Sequence, residues 1–306
     1  MTKLMVYTDL HLTAKKPFHR VDDFQATMLA KLKEVYDLGD ARGVDHVLFL
    51  GDFFNSHRIF SYDLINSAMD IICNAGVDTH ALVGQHDLVG RNKDSYASST
   101  LCFMERHCKR FQTMHKPTDL GDVVIYPCHS WDDFPETMGW TVSKRKKSIL
   151  AAHHLITREK KIFHTYVTDD FLPCQYSAVI FGDYHGGMDP YRHESGTLVW
   201  SPGSLARLAI NETARKVKVG IMTAVPGQNV EVEELELACA KPGKDVFSET
   251  FIESVREHAG LDTSRFVEQI MSIEADAVDI FDLVQKAATQ QGVRKEVVDY
   301  ILSKRP

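Results

Sequence analysis

Polar residues able to bind metal ions follow five short apolar segments of the chain. Asp9 and His11 follow the first segment, and Asp52 follows the second. The other three are followed by groups that contain histidine: Gln85, His86 and Asp87; His153 and His154; Asp183 and His185. A single Asp-x-His or Gly-Asp more often marks a strand end or a turn. Five such groups in order predict a site for two divalent ions, since such a pair shares one carboxylate and needs several further ligands.

Short strands separated by helices would bring these groups together. Apolar runs and stretches of helical periodicity alternate along the first ninety residues, which predicts a β-α-β-α-β order and an α/β sheet. The carboxyl ends of parallel strands meet at one edge, where sites of α/β proteins are built. Helices are predicted over 21–38, 62–74 and 98–111, later strands over 123–126, 148–152, 178–181 and 197–200, and an antiparallel pair over 216–223 and 230–237.

The composition is that of an ordered globular protein with an excess of histidine. The 306 residues include 35 Lys+Arg, 42 Asp+Glu and 15 His, with a formal charge of −7. No apolar run approaches the ~18 residues of a membrane span, so no membrane association is expected. Six Cys without a C-x-x-C motif predict reduced thiols in a cytoplasmic compartment. The compact length and the short segment 212–240 favour a bacterium or a virus-infected host cell as its source. The acidic balance does not itself favour nucleic acid, so a nucleic-acid site would need local basic patches or metals.

The five groups resemble the sequence blocks of the calcineurin-like metallophosphoesterases. The resemblance covers about residues 3–210 and implies an α/β fold: a two-layer β-sandwich flanked by helices (α/β/β/α), here with a small C-terminal helical extension. Within that superfamily, Gly51-Asp52-Phe53-Phe54 with Arg58 is similar to the SbcD-type nucleases of double-strand-break repair. The stretch Trp200–Arg207 is also similar to these nucleases.

The resemblance assigns roles to individual positions. Asp9, His11 and His185 would hold one metal, and Asp52 would bridge the two ions. Gln85 and one of His153 and His154 would hold the second metal, with Asp183 near the site. His86 would be the catalytic histidine that protonates the leaving oxygen, and Asp87 is assigned with it to the catalytic group. The cofactors implied are two divalent ions, with Mn preferred and Fe, Zn or Mg as alternatives.

Two positions depart from the family pattern. Gln85 stands where the family usually has Asn, and Asp183 stands where it usually has His. Both can ligate, but Gln has a longer stem and Asp adds a negative charge that favours a harder ion such as Mn. The SbcD-type pattern favours His154 over His153 as the ligand, and strand alternation would send the other to the opposite face.

Basic residues near the blocks are candidates for contacts with nucleic acid. Their alternative interpretation is a solvated surface. They are His57 and Arg58 after the second block, and Lys144, Arg145, Lys146 and Lys147 before the fourth.

These features predict three regions: a nuclease domain over 1–225, a reduced cap or linker of strands over 226–245, and a helical C-terminal region over 246–306. The resemblance implies a DNA nuclease that works with an SMC-like coiled-coil ATPase bound by the C-terminal helices, and a homodimer is an open alternative. The C-terminal helices could instead pack on the main domain. A phosphatase or phosphodiesterase acting on small molecules, and a catalytically weak scaffold that binds a partner, are the rival functions.

Overall fold

Two six-stranded sheets form the centre of the structure, a computed structural model that describes residues 1–17, 20–134, 140–158 and 165–248. From one edge to the other, the first sheet contains β14 (Glu231–Glu236), β13 (Lys218–Ala224), β1 (Thr2–Tyr7), β2 (His46–Phe49), β3 (Asp78–Ala81) and β4 (Phe111–Thr113). The second contains β11 (Met188–Arg192), β12 (Leu198–Ser201), β10 (Ala178–Gly182), β7 (Lys147–His153), β6 (Val123–Cys128) and β5 (Thr118–Leu120). A separate two-stranded sheet pairs β8 (Ile156–Thr157) with β9 (Tyr166–Val167).

Parallel pairing aligns the strand ends that carry the polar groups. Strands β1, β2, β3 and β4 are parallel, with Phe49 opposite both Tyr7 and Ala81. In the second sheet β6, β7, β10 and β12 are parallel, and Gly182 of β10 lies opposite His153 of β7. The carboxyl ends of β1, β2 and β3 therefore lie side by side, as do those of β7 and β10.

Alternating side chains of the strands build three apolar layers. Leu4 and Leu48 of the first sheet pack against Ile149 and Ile180 of the second, between the sheets. Helices α1 (Phe24–Arg42), α2 (Tyr62–Cys73) and α3 (Thr100–His107) accompany the first sheet, and side chains of α1 and α2 pack with Met5 and Val47 in one cluster. The predicted α/β sandwich is confirmed.

The outer face of the second sheet is covered differently from that of the first. Val179 and Phe181 there pack against Phe134, Phe171 and Tyr176. The 3-10 turn at Thr168–Asp170 ends at Phe171, one of these covering residues.

The predicted helices are present, with shifted ends. The helix predicted over 21–38 begins at Phe24, after Asp23 caps it by accepting from the amide of Ala26, and it continues to Arg42. It ends there because Gly43 adopts a left-handed conformation (φ 58°), the usual terminator of a helix.

The antiparallel pair predicted after residue 215 completes the first sheet. β13 pairs with β1 on one side and with β14 on the other. The predicted boundary between residues 225 and 226 falls in the turn joining β13 to β14, and the segment 226–245 reaches into a short helix, α4 (Gly243–Val246).

The chain divides into two compact units, Met1–Ser248 and Glu249–Pro306. The predicted C-terminal helices lie in the second unit, outside the described residues. In the part of the chain that is described, no helix is long and apolar enough to cross a bilayer.

The expectation of six free thiols is wrong for one pair. A disulfide joins Cys73, at the end of α2, to Cys108, just after α3, with the two Cα atoms 5.8 Å apart. The two residues are 35 positions apart in sequence, so the tertiary fold brings them together. Cys102, Cys128, Cys174 and Cys239 are not part of a disulfide.

Candidate metal centre

Carboxylates and imidazoles from both sheets converge at the aligned strand ends. Three groups of ligand atoms each lie within 4.8 Å of one another: Asp9 with His11 and His185; His11 with Asp52 and His86; Asp9 with Asp52 and His153. Asp9, His11 and Asp52 each belong to two of these groups. The arrangement therefore offers overlapping ligand sets around two neighbouring points.

Each central carboxylate has one oxygen bound by the protein and the other turned into the cleft. Asp9 Oδ2 accepts hydrogen bonds from the Thr8 hydroxyl (2.6 Å) and the Asp183 amide (3.1 Å). Asp52 Oδ1 accepts from the amide of His86 at 2.8 Å. In the described structure the second oxygens, Asp9 Oδ1 and Asp52 Oδ2, are buried and have no hydrogen-bond partner.

The histidines are oriented in the same way. His153 Nδ1 donates to the carbonyl of Leu50 at 2.6 Å, and His185 Nδ1 lies 3.3 Å from Glu212 Oε1. Both rings therefore present Nε2 to the cleft: His153 Nε2 is 3.4 Å from Asp52 Oδ2, and His185 Nε2 is 3.7 Å from Asp9 Oδ1. A metal-binding histidine is typically fixed through its other nitrogen by such a carbonyl or carboxylate.

The orphaned atoms show that these residues fit a pair of divalent cations. A buried carboxylate oxygen without a partner is costly and rare in folded proteins. His11 Nε2 and His185 Nε2 lie 3.0 Å apart, so two imidazoles point at one place. Asp9 Oδ1, Asp52 Oδ2 and the imidazole nitrogens would hold the ions, and this mixture of donors suits Mn, Fe or Zn better than Ca or Mg.

Strained backbone places the ligands at the strand ends. Asp9, His11, Asp52 and Asp183 have φ values of 51°, 47°, 58° and 75°, a left-handed region that costs non-glycine residues energy. Hydrogen bonds between loops keep this conformation: the Asp9 amide donates to the Gly51 carbonyl and the His11 amide to the Asp52 carbonyl, both at 3.0 Å. Such strain at three ligand positions and at the neighbouring Asp183 is typical of a functional site.

The electrostatics of the cleft pair negative carboxylates with positive imidazoles. Burial acts to raise the pKa of Asp9 and Asp52, but the neighbouring histidines outweigh it and hold both pKa values below their ordinary range. Burial likewise opposes charge on His153, yet Asp52 and Asp9 raise its pKa to about 10. The protein alone thus keeps carboxylates ionised at neutral pH, and a divalent ion would displace the proton from His153.

Comparison with known proteins agrees with this geometry. The sequence profile of the calcineurin-like phosphoesterase family matches residues 2–187, more than half of the chain. The chain belongs to the calcineurin-like phosphoesterase family. Members of this family are metal-dependent hydrolases with a dinuclear centre, which accounts for the overlapping ligand sets.

Solved structures share the fold at low sequence identity. A dimetal phosphatase from Danio rerio is 10% identical with a TM-score of 0.51, over 78% of this chain and 99% of that one. A purple acid phosphatase from yellow lupin (Lupinus luteus) is 14% identical with a TM-score of 0.51, over 77% of this chain and 51% of that one. At these identities the likeness shows the fold alone. No curated protein sequence matches this chain significantly.

The fourth block requires a correction, because His153 and not the favoured His154 faces the phosphoesterase centre. His154 lies on the opposite face of the strand end, where its Nε2 donates to the His129 carbonyl at 3.0 Å and its ring packs against Phe134 and Tyr166. Burial lowers the pKa of His154 to about 4. Strand alternation separates the two histidines, and His153 follows the inward positions of β7.

The adjacent histidines provide a matched pair of variants. We expect His153→Ala to weaken Mn²⁺ binding by about a hundredfold, since it removes a buried ligand. His154→Ala should keep its metal content and lose only about 1 kcal/mol of folding free energy. Elemental analysis and thermal unfolding measure the two effects. Equal metal contents in the two variants would contradict the assignment.

Asp87 is also placed differently from its predicted catalytic role. It is buried behind the cleft, where its carboxylate accepts hydrogen bonds from the amides of Gly84 (3.0 Å), Asp52 (3.1 Å) and Phe54 (3.3 Å). Burial and the charge of Asp52 raise its pKa to about 7. Asp87 therefore holds the loops that carry Asp52 and His86, and does not reach a substrate.

His86 does face the cleft. Its ring lies edge-on to that of His11 with the centroids 4.8 Å apart, and its Nδ1 donates to the Asn55 carbonyl at 3.2 Å. Since Nδ1 is occupied, Nε2 is the atom available to a substrate.

Gln85 and Asp183 lie beside the centre and contact each other. Gln85 Nε2 donates to Asp183 Oδ1 at 2.6 Å, and Gln85 Oε1 accepts from Arg91 at 2.7 Å. Asp183 belongs to none of the three ligand groups found among the described residues. Both ends of the Gln85 amide are engaged by Arg91 and Asp183, so the structure does not place Gln85 in the metal-ligand role that the resemblance implies. Burial, with the like charges of Asp9 and Asp52, raises the pKa of Asp183.

The predicted basic run over residues 144–147 is not at the metal centre. Lys147 begins β7 and His153 ends it, so a strand rising about 3.3 Å per residue puts Lys144, Arg145, Lys146 and Lys147 about 20 Å or more from the site. Lys146 also pairs with Asp119. His57 and Arg58 lie in the loop after the second block, where His57 Nε2 is 2.9 Å from the Ser95 carbonyl and Arg58 Nε donates to the Ser98 carbonyl.

Sequence reasoning missed Glu212, the carboxylate behind His185. Glu212 accepts hydrogen bonds from the amides of Leu208 and Ala209 and pairs with Arg215, and its pKa is held at about 2 because His185 and these donors outweigh its burial. It stands outside every sequence block. Its only sequence signal is its position shortly after the stretch Trp200–Arg207.

We expect Glu212→Gln to weaken metal binding by about ten- to a hundredfold, because the carboxylate no longer orients His185 and strengthens its Nε2 as a ligand. The amide retains an oxygen for the Leu208 and Ala209 amides, so folding should change little. Glu233→Gln, which alters an exposed carboxylate paired with Arg42, is the control. Titration with Mn²⁺ measures the metal affinity of both variants. Unchanged affinity in Glu212→Gln would show that Glu212 does not support the centre.

Proposed function

We propose that the chain is a metal-dependent DNA nuclease of the SbcD type, cleaving phosphodiester bonds with two Mn²⁺ ions. The observation that carries this proposal is how the stretch Trp200–Arg207, similar to these nucleases, contacts the metal ligands. Ser204 Oγ donates to the Asp9 carbonyl at 2.8 Å, the Ala206 amide donates to the same carbonyl, and the Ser204 amide donates to the His185 carbonyl. The nuclease-like loop is thus part of the support of the centre.

The residues divide the chemistry between them. Asp9, His11, Asp52, His153 and His185 would hold the ions, which would make water a stronger nucleophile at neutral pH and polarise the phosphate. His86 stands at the cleft with Nε2 free to donate a proton to the leaving oxygen. Asp87 and Glu212 hold this arrangement from behind.

A small-molecule phosphatase or phosphodiesterase is the second candidate. The formal charge of −7 and the distance of Lys144–Lys147 from the centre favour it, because a duplex needs cationic contacts beside the scissile bond. Turnover of bis-p-nitrophenyl phosphate with no DNA binding at low salt is the result expected of such an enzyme.

The test is degradation of linear duplex DNA by the purified full chain with Mn²⁺. Wild-type protein should release nucleotides and Asp52→Asn should not. Equal behaviour of the two proteins would refute the nuclease proposal, and hydrolysis of bis-p-nitrophenyl phosphate alone would establish the second candidate.

The same proposal includes a cytoplasmic location and a partner. An SMC-like coiled-coil ATPase would bind the C-terminal region, as in the nucleases that the chain resembles. Co-purification of the full chain with such an ATPase, lost on removal of residues 249–306, is the expected result.

A further inference from the structure

Arg91 stands at the tip of a tight turn beside the metal centre. The Asn92 amide donates to the Val89 carbonyl at 2.9 Å, and between them Gly90 and Arg91 have φ values of 56° and 59°. Two successive positive φ values are those of a type I′ turn, which glycine adopts freely and arginine only at an energetic cost. Ser95 anchors the turn, since its hydroxyl accepts from the Val89 amide at 3.0 Å and donates to the Asn92 carbonyl at 2.6 Å.

A chain of hydrogen bonds ties this arginine to the metal ligands. Arg91 Nη2 donates to Gln85 Oε1 at 2.7 Å, and Gln85 Nε2 donates to Asp183 Oδ1 at 2.6 Å. The Asp183 amide in turn donates to Asp9 Oδ2 at 3.1 Å. Because the amide NH2 of Gln85 must face the carboxylate, its oxygen faces the guanidinium and fixes the direction of Arg91.

The two departures from the family pattern are what build this chain. The single carboxamide of Gln85 contacts both neighbours. The Asp183 carboxylate can only accept hydrogen bonds, so it fixes the NH2 end of the Gln85 amide. Together they hold an exposed guanidinium beside Asp183, next to the cleft that contains the carboxylates and imidazoles of the centre.

Most of the hydrogen-bonding capacity of Arg91 is open to a ligand. Its side chain is exposed, and the bond to Gln85 uses one of the five N–H donors of the guanidinium. No other acceptor for it exists among the residues that the structure describes. The planar fork of a guanidinium matches two oxygens of a phosphate group.

We propose that Arg91 is a substrate-binding residue that donates to the non-bridging oxygens of the phosphate group, with Gln85 and Asp183 as its positioning residues. The ligand class is any phosphate ester or inorganic phosphate bound at the metal centre. The inference rests on the proposed phosphoester hydrolysis, and not on DNA being the substrate.

The test is binding of inorganic phosphate to the Mn²⁺-loaded full chain by isothermal titration calorimetry. Arg91→Asn suits the positive φ and removes the guanidinium, Arg91→Lys keeps the charge without the fork, and Arg106→Ala removes an exposed arginine of α3 as the control. We expect Arg91→Asn to weaken phosphate binding about tenfold or more, Arg91→Lys to be intermediate, and Arg106→Ala to match wild type. Manganese content should stay at the wild-type level in all three, and Arg91→Asn should raise KM for bis-p-nitrophenyl phosphate more than it lowers kcat.

The proposal would be overturned if the wild-type chain did not bind phosphate, or if Arg91→Asn had unchanged phosphate affinity. Loss of manganese in Arg91→Asn would also overturn it, because Arg91 would then only support Gln85. The nuclease proposal fails separately, when bis-p-nitrophenyl phosphate is hydrolysed and DNA is not, and in that case the effect of Arg91→Asn on phosphate still decides the role of Arg91.

Discussion

Replacing Asp52 by asparagine is expected to slow hydrolysis of bis-p-nitrophenyl phosphate by about a thousandfold, since several kcal/mol of charge stabilisation depend on the metals. Asp52 Oδ2 lies 3.4 Å from His153 Nε2 and 3.9 Å from His11 Nε2. Asp52 is therefore shared by the ligand group that contains His153 and the group that contains His11 and His86. Asparagine has a single oxygen, and the His86 amide already takes one. Its NH2 group would then face the imidazole nitrogens and the cations.

Steady-state kinetics with Mn²⁺ and thermal unfolding of the same samples measure this effect. Asp37→Asn, which alters an exposed carboxylate paired with Lys33, is the matched control and should keep wild-type activity. A folded Asp52→Asn protein with activity within about tenfold of wild type would remove Asp52 from the centre.

Gly84→Ala is expected to abolish metal binding by steric means, although it replaces no ligand residue. A Cβ at residue 84 would lie 2.6 Å from Cγ of Asp52 and closer still to its Oδ1 and backbone amide. Asp52 is fixed by the His86 and Asp87 contacts, so the carboxylate must leave its position or the loop must open. We expect a loss of about 1–3 kcal/mol of folding free energy together with the loss of Mn²⁺.

The control for this variant is Gly227→Ala, in the turn between β13 and β14. Gly227 has a φ of 78° with nothing within 4 Å of an added Cβ, so only backbone strain of about 1 kcal/mol is expected and metal binding should be unaffected. Chemical denaturation and elemental analysis of both variants give the comparison. Normal metal content in Gly84→Ala would mean that the Asp52 loop is not rigid.

The sequence predicted the strand-end ligands because parallel strands impose a simple rule. Asp9, Asp52 and His86 follow β1, β2 and β3, whose carboxyl ends are adjacent in one sheet. In the other sheet His153 ends β7 and His185 follows β10. Apolar runs of this length are the strongest signal of buried strands. Which member of the His153–His154 pair faces inward depends on where alternation starts in β7, and the family pattern pointed to the wrong member.

Residues that act through loops could not be found in this way. Glu212 and Arg91 reach the centre from turns whose course depends on tertiary packing, and no periodicity marks them. Asp87 was assigned a catalytic role because it follows His86 in the third sequence block. Its carboxylate instead accepts hydrogen bonds from three backbone amides behind the cleft. Because β7 is one continuous strand from Lys147 to His153, the basic residues 144–147 lie at the end of the sheet opposite the metal centre.

The most direct test of a two-metal centre at the strand ends of the two sheets is the manganese content of the purified chain after equilibrium dialysis. Two Mn²⁺ per wild-type chain, with a lower ratio in Asp52→Asn, is the result that the overlapping ligand groups predict. A wild-type chain that retains no manganese above the dialysis buffer would contradict the metal centre and favour a scaffold function.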